Sequence, residues 1–250
     1  MPHSPLGPAI RALACCIVLT ALTVNFNSAR GEDRVEMSLY SLETEKLLYR
    51  GKRTFKREGG RVTEISTFTT PAGKPIQKTV AVFLESDLSP VRYQLDDLRS
   101  GHQEILRREK NGFFMSFLEK RGDKPDQDTE KFRPGSLIAS AVVPRIQREW
   151  KTLMRGKKIP FSLLVPSRQD SVSFRVQLDR KKTAANKSRT VIRMDPDSWV
   201  IRQLDSALYF YFESKPPYRL LEYRGRFSIK TEDGDDQDLR ITYHYLKEDR

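Results

Sequence analysis

A mainly β fold, a long curved antiparallel sheet or incomplete barrel with one packed helix, is what this 250-residue sequence predicts. Three observations carry the prediction. Short segments alternate apolar and polar residues with period two, turn-forming residues recur closely between them, and one stretch, about 137–155, has helical periodicity instead.

The alternating segments come first. Val62-Thr63-Glu64-Ile65-Ser66-Thr67-Phe68 follows Gly59-Gly60 and precedes Pro71-Ala72-Gly73. Val91 to Leu95 and Val172 to Leu178 alternate strictly, and near the C-terminus Leu239, Ile241, Tyr243 and Tyr245 share one face. Asn111-Gly112, between Glu104–Lys110 and Phe113–Lys120, predicts a two-residue hairpin turn. Leu208 to Phe212 is apolar on both faces and is expected at the centre of the sheet or lining an interior. About a dozen strands emerge, joined by turns too short for βαβ units. Tyr49-Arg50-Gly51 and Tyr223-Arg224-Gly225 each put a glycine inside a strand, which predicts two bends. The polar stretches Arg121–Pro134 and Lys181–Ser188 are expected to be loops.

The helical stretch has Ser136 as its expected N-cap, Pro144 as an interruption and Gly156 as its terminator. Beyond the proline, Ile146, Trp150, Leu153 and Met154 fall on one side of a helical wheel, with Arg145, Arg148, Lys151 and Arg155 opposite. Such a helix lays an apolar stripe on the sheet and turns a basic stripe outward.

At the N-terminus, Arg11 followed by the apolar run Ala12–Val24 of 13 residues reads as a secretory signal, 1–29, with cleavage near Ala29, the alternative being an uncleaved N-terminal anchor. Spanning a bilayer takes roughly 20 apolar residues, and no second run of that kind follows, so no transmembrane segment is expected in the mature chain, 30–250, read as a single domain. Both cysteines, Cys15 and Cys16, lie inside the run. Cleavage therefore leaves no thiol for disulfides, metal ligation or nucleophilic catalysis. It removes Arg11 and no acid, so the net charge of +12 becomes +11. That surplus fits either polyanionic or anionic-membrane partners or a solvated basic surface without a dedicated partner.

Motifs for chemistry are scarce. His3 lies in the leader, leaving His102 and His244, neither with a second histidine at ligand spacing. P-loop, dinucleotide-binding and nucleophile-elbow patterns are absent from the sequence. The acids of Glu232–Asp238 lack the alternate spacing of an EF-hand loop and read as a solvated hairpin, as do Asp123, Asp126, Asp128 and Glu130. No cofactor is expected, and a catalytic role is the weaker expectation, carried only by the prospect that distant acids meet in a cleft. Basic clusters occur at Arg50–Arg61, Arg145–Lys158 and Arg180–Arg193, but no nucleic-acid signature accompanies them, and export makes nucleic acid an unexpected partner.

Four segments, Glu149–Phe161, Val165–Asp170, Met194–Trp199 and Leu220–Gly225, resemble a family of uncharacterised exported proteins of Gram-negative bacteria, similar in style to periplasmic curved-sheet domains of unknown function. The resemblance spans most of the mature chain and implies a periplasmic location and this architecture. It implies no activity. On the residues alone, the expectation is non-catalytic binding of an anionic lipid, glycolipid or other amphiphile, with Trp150, Trp199, Tyr209 and Tyr211 as wall residues and Arg145, Arg148 and Arg155 at the anionic end. The alternatives are a structural or assembly protein of the envelope, held to envelope partners by basic faces, and a hydrolase with an unrecognised acid pair.

Overall fold

The computed structural model describes residues 33–186, 188–197 and 207–246. The leader with its two cysteines, and Trp199, lie outside the described residues. Within them, fifteen strands form one curved, unclosed sheet: β1 (Asp33–Ser41), β2 (Leu47–Glu58), β3 (Arg61–Thr69), β4 (Pro75–Leu84), β5 (Pro90–Asp97), β6 (Gln103–Arg108), β7 (Gly112–Leu118), β8 (Asp126–Lys131), β9 (Ser136–Leu137), β10 (Ile159–Val165), β11 (Asp170–Leu178), β12 (Arg189–Pro196), β13 (Leu208–Glu213), β14 (Leu220–Phe227) and β15 (Gln237–Tyr245). Their spatial order is β8-β7-β6-β5-β4-β3-β2-β1-β15-β14-β13-β12-β11-β10-β9. Every neighbouring pair is antiparallel except β9 with β10. The described chain thus starts and finishes beside itself in mid-sheet, winds outward to β8, crosses through the helices to the far edge, and winds back.

A sheet of this many strands curls. The curl brings the β10–β11 turn, a 3-10 turn at Pro166–Arg168, against β6 and β7. Ser171 donates to Glu130 Oε1 at 3.3 Å across the same gap. The predicted alternation places one set of side chains inside this bowl. Met37 and Leu39, Val62 and Phe68, Leu106, Phe113 and Met115, Ile192 and Met194, and Leu239 and Ile241 are all buried and belong to one core.

The helical stretch is α1 (Ala139–Arg148) followed by α2 (Trp150–Met154). Ile146, Trp150 and Leu153 are buried, as their phase predicts. Two details differ from the sequence reading. Ser136 is not the cap, because Ser136 and Leu137 pair with Ser162 and Leu163 as a short parallel strand, and the helix starts after an extended, buried Ile138. Pro144 sits within α1 without breaking it, and the break comes at Glu149. Gly156 terminates the stretch at φ +81°. None of the described helices is long and apolar enough to cross a membrane.

Both stretches read as loops contain structure. Arg121–Pro134 holds β8, an edge strand with no apolar residue, so periodicity gave no sign of it. Lys181–Ser188 overlaps α3 (Arg180–Ala185), whose first turn is capped by Asp179 accepting from the Lys182 amide at 2.8 Å. At the Asn111-Gly112 hairpin the reversal falls one residue earlier, at Lys110-Asn111, closed by the Glu109 amide on Gly112 O at 2.9 Å. Gly112 is needed for a different reason. A Cβ there would lie 2.2 Å from the Glu130 carbonyl oxygen on β8.

Candidate functional site

Opposite ends of the bowl are closed by different segments. At one end Arg148 donates to the Ser86 and Glu85 carbonyls, and Gln147 to the Tyr218 carbonyl, fixing the end of α1 between the β4–β5 and β13–β14 turns. At the other, the loop after β14 tucks inward. Ile229 is fully buried, Ser228 accepts from Gln77 at 3.0 Å, and the Lys230 carbonyl accepts from Arg99 at 2.9 Å. Between the first turns of α1 and this loop lies a cavity of about 240 Å³.

Its walls are mostly apolar. Phe68 from β3, Met194 from β12, Leu208 and Phe210 from β13, Tyr223 and Phe227 from β14, and Val142 and Val143 from α1 contribute. The two in-strand glycines let wall side chains pack against the strand backbone. Both lie on the concave face, where a Cβ on Gly51 would meet Met37 and Phe68 at 2.8–2.9 Å, and one on Gly225 would meet Leu208 at 2.5 Å. Gly225 also has φ +138°, which other residues rarely adopt. At both positions the glycine admits a neighbouring side chain, Met37 and Phe68 at one and Leu208 at the other.

One part of the wall is charged. Arg53 on β2 and Glu64 on β3 face the cavity, with Nε to Oε1 at 3.3 Å. The Arg53 Nε also donates to Ser66 Oγ at 3.0 Å. Ser66 donates in turn to Glu64 Oε1 at 3.3 Å, and Ser140 on α1 donates to the same oxygen at 3.0 Å. The guanidinium lies 5.8 Å from the Tyr243 ring centre. Burial opposes the Arg53 charge, but Glu64, with Tyr243 and Tyr245, more than compensates and raises its pKa. Burial likewise pushes the Tyr243 phenol up to about 12, with Glu64 adding to the rise and Arg53 opposing it. Tyr93, also in the wall, is raised well above the ordinary phenol value by burial and by Glu104 and Glu64. Both phenols are therefore hydrogen-bond donors at neutral pH.

The residues singled out from the sequence fall elsewhere. Trp150 is 6% exposed and packs under the helix, stacked on Tyr218 at 4.3 Å and edge-on to Phe212 at 5.4 Å. Tyr209 and Tyr211 alternate with Leu208, Phe210 and Phe212, and lie on the convex face. There Lys182 sits 4.4 Å from the Tyr209 ring centre and Arg224 5.2 Å from that of Tyr211. Arg145 pairs with Glu149 at 3.3 Å, Arg148 is used as a helix tether, and Arg155 is exposed. None of these lines the cavity. Of the histidines, His244 is exposed, whereas His102 is buried beside Glu104 and edge-on to Phe117 at 5.2 Å. In the acidic hairpin, Asp236 and Asp238 each pair with Arg226 at 2.9 Å. No group of acids, histidines and cysteines suited to a metal ion occurs among the described residues. Arg53 and Glu64 were missed, although one sign was present: Glu64 shares the strand register of Val62 and Phe68, where an acid is out of place unless paired.

No family model matches the chain, and no curated protein matches it. Among solved structures, a beta-barrel-like protein of a domain of unknown function, DUF1849, from Brucella abortus is similar over 86% of this chain and 98% of that one, at 10% identity and a TM-score of 0.48.

Proposed function

We propose that the protein binds a single-chain lipid or other amphiphile, without catalysis, inside its curved sheet. The observation that carries this is the cavity itself: about 240 Å³ of mainly apolar wall with one polar station at Arg53, Tyr93 and Tyr243. Ligand sites commonly combine an apolar lining with a few convergent polar groups. A space of about 240 Å³ suits one short chain rather than two. An acid pair for hydrolysis has less support. Each fully buried carboxylate among the described residues, Glu64, Asp97, Asp195 and Glu222, is held by an arginine. The exported location expected from the leader would place the ligand in the envelope.

The test is native mass spectrometry of protein purified from its own envelope, with titration of a fluorescent single-chain acyl probe. Retained mass of one chain and saturable one-site binding are expected, and Leu163→Trp, at a half-buried wall position, should abolish both. Absence of retained mass together with no saturable binding would refute the proposal.

An envelope scaffold is the second reading, favoured by the convex face. Arg193, Tyr209, Arg224, Arg240 and Tyr40 stand in one cross-strand row over five adjacent strands. Its arginines are already paired, with Asp195, Glu222 and Glu45. Adhesion to anionic vesicles that salt abolishes completely would favour the scaffold.

A further inference from the structure

Within the proposed binding site, we infer that the head group it reads is uncharged, a carbonyl or hydroxyl oxygen at the end of the chain and not a carboxylate or phosphate. This rests on the amphiphile reading of the cavity and sharpens it. Arg53 and Glu64 sit in the same wall with opposite charges 3.3 Å apart, and Arg226, the other charged residue of the lining, is paired with Asp236 and Asp238, so the polar station is neutral as built. An anion placed on the guanidinium would lie beside the Glu64 carboxylate in a mostly apolar, partly open pocket, where like charges repel and desolvation is costly. A neutral oxygen meets no such penalty.

The hydrogen-bonding capacity of the station agrees. The Arg53 Nε is engaged by Ser66 and Glu64, while no bond from its two terminal nitrogens to a described residue is seen. The Tyr93 and Tyr243 hydroxyls likewise make none with described residues, and both remain protonated. On Glu64 the bonds from Ser66, Ser140 and Arg53 all converge on Oε1. The station therefore offers several donors and, at Glu64 Oε2, an acceptor. A carbonyl uses the donors; a hydroxyl uses a donor and the acceptor. Acyl esters and fatty alcohols are two ligand sources with that chemistry.

Methyl octanoate, octanol and octanoate carry the same short chain and separate the cases. Their affinities for the mature protein are compared by calorimetry at about pH 8, where a free carboxyl, of pKa about 4, is ionised. The ester or the alcohol should bind at least about tenfold more tightly than octanoate, a difference of ~1.4 kcal/mol. The tighter of the two identifies the source. Glu64→Gln keeps the shape and the serine bonds but leaves the station with a net positive charge, so octanoate should gain at least about tenfold. Should that variant unfold, Arg53→Met/Glu64→Leu replaces the pair with apolar groups and leaves only the Tyr93 and Tyr243 hydroxyls, so the ester and alcohol should lose a measurable part of their advantage over octane. Octanoate binding the wild type as well as the neutral ligands, or a folded Glu64→Gln variant with no gain for octanoate, would overturn the inference while leaving chain binding intact. Ester and alcohol affinities untouched in the double variant would overturn it too. If none of the three ligands, nor octane, binds the wild type, the cavity is not a binding site and the underlying proposal falls with it.

Discussion

Trp150→Ala tests how the helix is held in the bowl. The side chain is 6% exposed, stacks on Tyr218 at 4.3 Å with ring planes 20° apart, and meets Phe212 edge-on at 5.4 Å. Removing a buried tryptophan costs about 3–5 kcal/mol, and each ring pair accounts for roughly 0.5–1.5 kcal/mol beyond area burial. The upper half of that range is expected, because Tyr218 stands on a turn also tied to the helix through Gln147 and cannot close the gap without breaking that tie. With a urea slope near 3 kcal/mol per molar, a loss of about 4 kcal/mol moves the unfolding midpoint by roughly 1–2 M. Trp150→Phe should lose about half as much. A double-mutant cycle with Tyr218→Ala should give a coupling of about 1 kcal/mol. A midpoint change worth under ~1 kcal/mol for Trp150→Ala would place the ring at a surface and refute the packing described.

Three further outcomes are expected. Arg53→Met alone strands the buried Glu64 and should cost on the order of 3–5 kcal/mol by chemical denaturation, whereas Arg53→Met/Glu64→Leu should recover most of it; equal losses in the two would show that the pair is not coupled. Tyr243 and Tyr245 both have pKa values raised to about 12, by burial first. A phenol that holds its proton longer when folded contributes stability fully present below its free pKa of about 10 and lost as pH rises through 12. Unfolding free energy should therefore fall across that window, less steeply in Tyr243→Phe, and absorbance titration should show at least three late phenols, Tyr93 among them; ordinary titration near 10 for all phenols would contradict it. Gly112→Ala drives a Cβ into the Glu130 carbonyl, so amide exchange should accelerate at 126–131 and leave β3–β5 unchanged; unaltered exchange at β8 would mean that the edge accommodates the methyl.

Much of the architecture was legible because period-two alternation reports burial directly. Val62 to Phe68 and Val172 to Leu178 became strands where expected, and the helical phase of Ile146, Trp150 and Leu153 matched their burial. The edge strand β8 was not legible, since an edge that buries nothing has no apolar register. The site was harder still. Aromatic and basic residues drew attention at Trp150, Tyr209 and Arg148, yet the first is core, the second is convex and the third is a tether. In the Leu208–Phe212 run both registers are aromatic, so the sequence could not say which one faces inward. Arg53 becomes interior only through the pairing of β2 with β1 and β3, which sets Gly51 and Arg53 on the same face as Met37, Val35 and Ser66.

The meeting of the first and last strands has a mechanical consequence. β1 and β15 lie side by side near the middle of the sheet, antiparallel, with Leu39 opposite Ile241 about 200 positions away. Asp33 and Tyr245 therefore stand at the same end of that seam, with the Leu246 amide on the Arg34 carbonyl at 3.0 Å. A force applied at these two points would not shear the rungs together. It would peel them one after another, parting the two arms at the seam while each arm kept its own meander.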